Sequence, residues 1–300
     1  MKKYLVVLVG PTAIGKTGTA IYLANQFDTE IISADSRQFF KEMAIGTAKP
    51  TEEERAQAVH HFVDFLSIHE KYSAGQFESE ALAKIEELHQ KHDVVIMAGG
   101  SGLYVDAVCK GMDELPHDPS IREALNKRLD EEGIDVLQNE LKTLDPTHFD
   151  RMDIHNPHRL IRALEVCLVS GQPYSSLRSQ STKSRPFEII KIGLEADRET
   201  IYERINQRVD IMIKQGLEEE CFKLLKNKDL NALNTVGYKE FFTYFESEEK
   251  DLDFCIEQIK MNTRRFAKRQ LTWNRKDQDI RSFHFEDRSG ILHYLKEVIV

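Results

Sequence analysis

The chain has 300 residues, of which 41% are hydrophobic and 30% charged, and its formal net charge is −9. This length and composition are typical of a globular protein with one large domain, or with a domain that carries an insertion. No apolar run reaches the ~18 residues of a membrane span, and the net negative charge argues against a protein coated in nucleic acid. The four cysteines lie far apart without a C-x-x-C pair, which favours reduced thiols in the cytoplasm over disulfides or zinc.

The first third of the chain alternates strands with helices. Residues 4–9 predict a buried strand, and a loop at 10–17 leads into a helix that ends near Phe27. Residues 30–35 predict a second strand, which ends on Asp35. A long polar connection follows, and a connection of that length is either disordered or functional.

Two more strands and a capped helix are predicted before residue 100. "HHFVDFL" (60–66) is a candidate third strand, and "DVVIMA" (93–98) is another buried strand. Ser73 to Gln76 form a capping box in front of a helix at 74–90. This alternation predicts an α/β fold with a parallel sheet flanked by helices.

The pattern changes at about residue 113, and no strand is predicted from there to about Arg185. Asn156 as N-cap, Pro157 in the first turn and Gly171 after the end frame one helix of this region. We therefore predict a helical insertion domain at 113–185, between the two parts of a core domain, 1–112 and 186–300.

The last third returns to mixed structure. "FEIIKIGLEA" (187–196) predicts a strand, and Asp197 caps a helix that runs to Gly216. A long helix is predicted at about 253–275, and "IRSFHF" (280–285) is a candidate last strand.

The strongest local signal is "VGPTAIGKTGTA" at 9–20, which contains G-x-x-x-x-G-K-[ST] after a strand and before a helix. The backbone N–H groups of such a loop and the helix N-terminus favour an anion. Lys16 would reach terminal phosphate oxygens, and Thr17 would ligate Mg²⁺. The motif predicts a P-loop NTPase-like sheet whose diphosphate-binding residues are Gly10, Pro11, Thr12, Ala13, Ile14, Gly15, Lys16 and Thr17.

The acid that usually holds Mg²⁺ in P-loop NTPases, at the end of a neighbouring strand, is missing. The strand at 93–98 continues as Gly99-Gly100-Ser101, which lowers the case for an ATPase or a switch. Asp35 instead ends the second strand, at the edge of the sheet where ligands bind. It is either a general base near the transferred group or a cap of the following turn, and its position alone leaves both open.

Two arginines on one predicted helix face are candidate anion ligands. Arg204 and Arg208 are spaced i, i+4, and Arg208 falls at the edge of the apolar stripe. An arginine that points partly inward needs an anion partner, which is either a pyrophosphate or an ordinary Asp or Glu.

Basic residues are concentrated in two later stretches. Arg159 and Arg162 lie on one helix face, and 263–276 contains six Lys and Arg residues but no acid. A charge run is usually a solvated face, but two such clusters in an acidic protein favour RNA, with Phe266 or Trp273 available for stacking. The histidines do not form a metal-binding pattern.

Seven blocks in order carry a resemblance to a known family. They are "GPTAIGKT", "SADSRQ", "GTAKP", "GGSGLY", "NPHRLIRALEV", "VGYKEF" and "AKRQLTWNR". Together they resemble the tRNA dimethylallyltransferases, also called tRNA isopentenyltransferases, over essentially the whole chain. The resemblance is to the short form, without the C-terminal zinc finger of longer relatives.

The resemblance implies transfer of a dimethylallyl group from dimethylallyl diphosphate to the N6 amine of the adenosine 3′-adjacent to the anticodon. It implies that Asp35 is the catalytic aspartate that contacts the amine. Lys16, Thr17 with Mg²⁺, and Arg208 would hold the departing pyrophosphate.

The resemblance also implies where the tRNA anticodon stem-loop binds. The matching residues are Asp35, Ser36, Arg37, Gln38, Ser101, Arg159, Leu160, Ile161, Arg162 and Ala163. From the basic run we add Arg265, Lys268 and Arg269 as candidate RNA contacts. The helical insertion is the expected clamp for the anticodon loop, and we expect a cytoplasmic monomer.

Three other functions are weighed against this one. A relative that prenylates free adenine nucleotides would not need the basic clusters or a large helical insertion. A P-loop metabolite kinase would turn over ATP and have an Arg-rich lid. A non-catalytic RNA-binding protein with a relict loop is disfavoured by the intact Lys16, Thr17 and Asp35.

Overall fold

The computed structural model describes residues 2–178, 182–249 and 251–300. They form two compact units, Met1–Lys110 with Ser184–Val300, and Gly111–Lys183. Among the described residues, no helix has both the length and the apolar character needed to cross a membrane.

The first unit contains a sheet of parallel strands. The strands are β1 (Tyr4–Val9), β2 (Ile31–Ser33), β3 (His60–His61), β4 (Val94–Ala98), β5 (Glu188–Glu195) and β6 (Ile280–His284). Their order is β3-β2-β4-β1-β5-β6, and every pairing is parallel, so the carboxyl ends of all of them lie at one edge. The predicted parallel α/β sheet flanked by helices is thus confirmed.

The helices follow in chain order. The first unit begins with α1 (Lys16–Phe27), α2 (Glu52–Gln57), α3 (Ala74–His89) and α4 (Gly102–Lys110). The second unit contains α5 (Pro119–Glu132), α6 (Ile134–Leu144), α7 (Pro146–Phe149), α8 (Pro157–Ser170) and α9 (Tyr174–Leu177). The chain returns to the first unit with α10 (Arg198–Lys214), α11 (Leu217–Leu224), α12 (Tyr238–Glu246), α13 (Leu252–Asn274) and α14 (Arg288–Val298).

Strand β1 divides the core of the first unit into two layers. All six of its residues are buried. Leu5, Val7 and Val9 belong to one apolar cluster, and the alternate residues of the strand belong to the other, on the opposite face of the sheet. Burial on both faces explains the continuous apolar run in the sequence.

Several capping predictions are confirmed. Ser73 and Gln76 form the expected capping box of α3. Asn156 caps α8, which ends at Gly171 with a φ of 68°. Asp197 caps α10 by accepting from the N–H of Thr200. These signals are local, since each depends on residues within one turn of helix.

Two predicted strands are shorter than the sequence indicated. β2 ends at Ser33, so Asp35 lies two residues beyond it. β3 comprises only His60 and His61, because the chain turns where Phe62 and Asp64 adopt left-handed φ angles of 63° and 56°. The long connection after Asp35 is ordered, with Phe39, Phe40 and Met43 buried in the core, so it is not disordered.

The second unit has its own apolar core, which is formed around α8. Leu125, Leu137, Leu141, Leu160 and Leu164 are among its buried side chains. The predicted division at 113–185, and its role as a clamp for RNA, stay predictions.

The close approach of two chain segments explains the glycine after β4. A Cβ on Gly99 would lie 2.2 Å from the carbonyl oxygen of Ala34, which follows β2. No side chain fits there, so an acid at this position of the sheet edge is sterically excluded.

We expect Gly99→Ala to lower the free energy of unfolding by about 1–3 kcal/mol, because the added methyl overpacks against backbone. Gly75→Ala is the control, since a Cβ there meets only the Ser73 hydroxyl at 3.9 Å. It should be neutral or stabilising by roughly 0.5–1 kcal/mol, as for a glycine in a helix. Urea unfolding measures both, and wild-type stability of Gly99→Ala would contradict the steric account.

Candidate active site

The phosphate loop lies between β1 and α1 and has the backbone shape of an anion-binding loop. Ala13 and Gly15 have φ angles of 65° and 105°, the left-handed conformations that are typical of loops that bind anions through backbone N–H groups. The first turn of α1 contains no acid. The loop and the helix N-terminus therefore present partial positive charge to one point.

Lys16 is partly buried under the loop. Its Nζ donates to the carbonyl oxygens of Gly10 at 3.0 Å and Pro11 at 2.8 Å. The pKa of Lys16 is lowered to about 8, chiefly by burial; the charge of Asp35 opposes this effect and that of Arg208 adds to it. These carbonyl partners are neutral, so a phosphate would be a stronger partner for the ammonium group.

Arg208 reaches the same loop from α10. Its guanidinium donates to the Thr12 hydroxyl at 3.1 Å. Burial lowers the pKa of Arg208, and the charge of Asp35 opposes that effect. None of the ion pairs among the described residues involves Arg208. Of the two partners considered from the sequence, an anionic ligand is therefore favoured over an Asp or Glu.

Arg204, one turn earlier on α10, has a different role. Its Nε donates to the Ala13 carbonyl at 2.9 Å, and its guanidinium lies 4.7 Å from the centre of the Phe285 ring. Arg204 thus supports the strained backbone of the loop from outside.

Asp35 lies between two cavities at the carboxyl edge of the sheet. A small cavity of about 50 Å³ contains Lys16, Thr17 and Asp35 in its wall. A larger one of about 650 Å³ is lined by Asp35 and Arg208, among others. One oxygen of Asp35 also accepts from the N–H of Arg37 at 3.1 Å, so Asp35 does cap the following turn. Its second oxygen is left for a ligand.

Residues next to Asp35 hold this edge together. The Ser101 hydroxyl accepts from the N–H of Ser36 at 2.9 Å and donates to its hydroxyl at 3.0 Å. The Arg37 guanidinium donates to the carbonyls of Asn231 at 2.9 Å and Ala232 at 3.0 Å. The Gln38 amide donates to the carbonyls of Thr47 and Ala48 at 3.2 and 3.1 Å. The described contacts of Arg37 and Gln38 are thus structural.

The connection after Asp35 is ordered by one carboxylate that the sequence did not single out. Glu220 accepts from the N–H groups of Ala44, Ile45 and Gly46 at 2.8–3.0 Å. It also accepts from the Tyr238 hydroxyl at 2.6 Å. No local pattern in the sequence marks a contact between residues so far apart.

A second missed residue is Gln270 on α13. Its side chain is 8% exposed and contacts the backbone of both Thr12 and Gly100. Its position in the block "AKRQLTWNR" was an available signal, but nothing there indicated its partners.

Other side chains of α13 form an exposed, basic surface, and Phe266, Arg269 and Trp273 of this surface also line the larger cavity. Arg265, Lys268 and Arg269 are exposed there, and the Arg269 guanidinium lies 5.6 Å from the centre of the Phe266 ring. Phe266 and Trp273 are each 38% exposed. This is the arrangement of cations and aromatic rings expected of an RNA-binding surface.

Within the second unit, only part of the predicted RNA block is accessible. Leu160, Ile161 and Ala163 are buried in its core. Arg162 donates to the Leu115 and Pro116 carbonyls at 3.1 and 3.0 Å and pairs with the buried Glu165. Of this block, Arg159 is the exposed cation.

Comparison with known proteins gives consistent matches. The family model described as IPP transferase matches residues 38–277. A tRNA dimethylallyltransferase of Christiangramia forsetii is 55% identical, and the match covers 100% of this chain and 99% of the relative. One of Flavobacterium johnsoniae is 52% identical, with 98% of each chain covered.

Solved structures are also similar. The tRNA isopentenylpyrophosphate transferase of Bacillus halodurans has a TM-score of 0.73 at 32% identity, covering 100% of this chain and 97% of that one. A eukaryotic dimethylallyltransferase, described as acting on tRNA, has a TM-score of 0.81 at 26% identity. That match covers 98% of this chain and 78% of the other.

The lowered pKa of Lys16 predicts proton uptake when a diphosphate binds. An anion favours the charged lysine, so its pKa rises on binding and a site that is about half neutral near pH 8 gains up to about half a proton. Calorimetry of dimethylallyl diphosphate binding without tRNA, in two buffers of different ionisation enthalpy, measures this uptake. Lys16→Gln should lose it, and equal uptake by that variant would contradict the assignment.

Proposed function

The chain belongs to the IPP transferase family, and we propose that it transfers a dimethylallyl group from dimethylallyl diphosphate to the N6 amine of the adenosine 3′-adjacent to the anticodon in tRNA. Pyrophosphate is released. The observation that carries the proposal is the place of Asp35, which lies between the phosphate-loop cavity and the larger cavity.

We propose that Asp35 receives the proton that the amine loses. An exocyclic adenine amine is a poor nucleophile, because its lone pair is delocalised into the ring. In the transfer, the bond between N6 and the first carbon of the dimethylallyl group forms as the bond from that carbon to the diphosphate oxygen breaks. The displaced N6 proton passes to the carboxylate of Asp35 as a general base.

The leaving diphosphate gains negative charge, which the phosphate loop stabilises. Loop N–H groups, Lys16 and Arg208 are fixed in place before the reaction, so little reorganisation is needed. The negative charge of the bound diphosphate favours the protonated, charged form of Lys16. The wall of the larger cavity includes Val105, Val209 and Met212, which suit an isoprenoid chain.

The residues present fit a divalent cation, for which we propose Mg²⁺. Thr17, the second residue of α1, lines the small cavity with Ser33 and Asp35, so the donors are hard oxygen atoms. No group of three or more His, Cys, Asp or Glu among the described residues is arranged to hold a metal. Thr17 would thus be one ligand, with diphosphate and water supplying the others, and the ion would neutralise diphosphate charge.

The site lacks what water activation by a P-loop enzyme requires. Glycines stand at 99 and 100, where an acid usually follows the strand, and the space at Gly99 admits no side chain. Transfer to an amine needs no activated water. This supports prenyl transfer over ATP hydrolysis. A metabolite kinase would instead be favoured if the assay described below detected phosphorylation of a metabolite.

The acceptor base must leave its stack to reach the cavity, and a single-stranded anticodon loop makes this inexpensive. We propose that the exposed face of α13 binds the phosphate backbone, with Arg159 as a contact from the second unit. The protein would act as a monomer in the cytoplasm, where its four free, buried cysteines would stay reduced.

Asp35→Asn should lower kcat for dimethylallyl transfer by about 10²–10⁴-fold while tRNA affinity changes little, because the proton acceptor is lost. The assay combines labelled dimethylallyl diphosphate, Mg²⁺ and unmodified tRNA, and detects prenylated adenosine by mass after digestion. Asp93→Asn, at a surface ion pair with Lys3, is the control. Near-normal turnover by Asp35→Asn would contradict the role of Asp35 as proton acceptor. The proposed function would be overturned if the wild type transferred no dimethylallyl group but phosphorylated a metabolite with ATP.

Replacing Arg265, Lys268 and Arg269 together by alanine should weaken tRNA binding and flatten its salt dependence. Each lost phosphate contact reduces the slope of log K against log salt by about 1. Alanine at Lys71, Lys91 and Lys223 removes the same charge from exposed sites elsewhere and is the control. Equal slopes for the two triple variants would remove the α13 face from the RNA-binding account.

A further inference from the structure

Gln270 connects two segments of the active site that are far apart in the sequence. The backbone N–H of Thr12, in the phosphate loop, donates to its Oε1 at 2.8 Å. Its Nε2 donates to the carbonyl oxygen of Gly100, after β4, at 2.9 Å. The side chain is only 8% exposed, so both bonds are largely shielded from water.

These two bonds determine the orientation of the amide. The N–H of Thr12 requires an acceptor, and the Gly100 carbonyl requires a donor, so exchanging the amide oxygen and nitrogen would break both bonds. A carboxamide is the side chain that offers one of each at this spacing. A hydrophobic residue of similar size would leave two backbone groups unsatisfied, which is costly where they are buried.

Both segments lead directly to residues proposed to react or bind. Thr12 is held at two points, because its hydroxyl also accepts from Arg208 at 3.1 Å. Gly100 precedes Ser101, whose hydroxyl is bonded to Ser36 beside Asp35. Gln270 is therefore a direct link between the diphosphate end and the Asp35 end of the larger cavity.

The packing around Gly100 leaves little freedom in this contact. A Cβ on Gly100 would lie 2.6 Å from the Gln270 Nε2. One turn further along α13, Trp273 packs on Gly102, where a Cβ would lie 2.6 Å from the indole ring. The glycine segment thus contacts α13 at two points spaced i, i+3, on one side of the helix.

We propose that Gln270 is a positioning residue for the transfer reaction, which sets the distance between the bound diphosphate and the acceptor amine by holding Thr12 and Gly100 together. This inference rests on the proposed function. A misplacement of about 1 Å between reacting groups costs up to about 100-fold in rate, so the effect of losing such a link is large even without contact to the reacting atoms.

Two substitutions separate the two bonds. Gln270→Leu removes both, and we expect kcat for transfer to fall by about 10²-fold with a smaller change in KM for tRNA. Gln270→Glu keeps the acceptor for Thr12 but loses the donor to Gly100 at neutral pH. Protonation of the new carboxyl restores that donor, so kcat of Gln270→Glu relative to the wild type should rise as pH falls.

Gln258→Leu and Gln258→Glu, about three turns earlier on α13, are the matched controls, with expected kcat values within twofold of the wild type. The pH-dependent rescue is the decisive readout, because a residue needed only for stability would show no such recovery. If Gln270→Leu fails to fold, Gln270→Glu, which has the same shape, provides the test. Wild-type kcat for Gln270→Leu, or a pH profile of Gln270→Glu parallel to that of the wild type, would overturn the proposal.

A second measurement, the affinity for pyrophosphate in the absence of tRNA, tests the role of Gln270 independently of the proposed function. We expect Gln270→Leu to weaken it several-fold, because Thr12 and Arg208 lose their fixed positions. Calorimetry measures that affinity whether or not the wild type transfers a dimethylallyl group. Absence of transfer by the wild type would therefore overturn the function, whereas unchanged pyrophosphate affinity of Gln270→Leu would overturn the link to Thr12.

Discussion

The arrangement of the site depends on two cations that are partly buried beside the phosphate loop with neutral oxygens as their nearest partners. Lys16 contacts the carbonyls of Gly10 and Pro11, and Arg208 contacts the Thr12 hydroxyl. Such groups are unfavourable without an anion, and burial lowers the pKa of both. The ligand-free site is therefore destabilised by its buried charges, and a bound diphosphate removes that unfavourable free energy. This makes the loop selective for ligands of high negative charge.

Much of the fold was predictable because its signals are local. The buried strand β1, the capping box at Ser73 and the caps at Asn156 and Asp197 each depend on neighbouring residues, and the structure confirms them. The ends of β2 and β3 were not predictable, because Ala34 is buried beyond β2 and Phe62 packs on the core beyond β3. Apolar pattern shows that a segment is buried, but it does not show where the chain leaves the sheet.

The parts of the site that the sequence could not show are contacts between distant segments. Glu220 orders the backbone of residues 44–46, and Gln270 joins Thr12 to Gly100. Polar side chains of this kind look like ordinary surface residues of a helix until the partner is known. The same holds for the burial of Leu160 and Ile161, since the apolar face of α8 is defined by the other helices of its unit.

Among the described residues, Asp35 is the acid whose charge acts at longer range on three cations of this site. Its charge raises the pKa of Lys16, Arg37 and Arg208, in each case against a larger effect of burial. On the proposed function, a bound diphosphate becomes the nearer partner of Lys16 and Arg208. The Asp35 oxygen that does not accept from the N–H of Arg37 is then left to receive the N6 proton. The acid for this role must lie close to the diphosphate but outside its binding loop, and Asp35, two residues beyond β2, lines the small cavity together with Lys16 and Thr17.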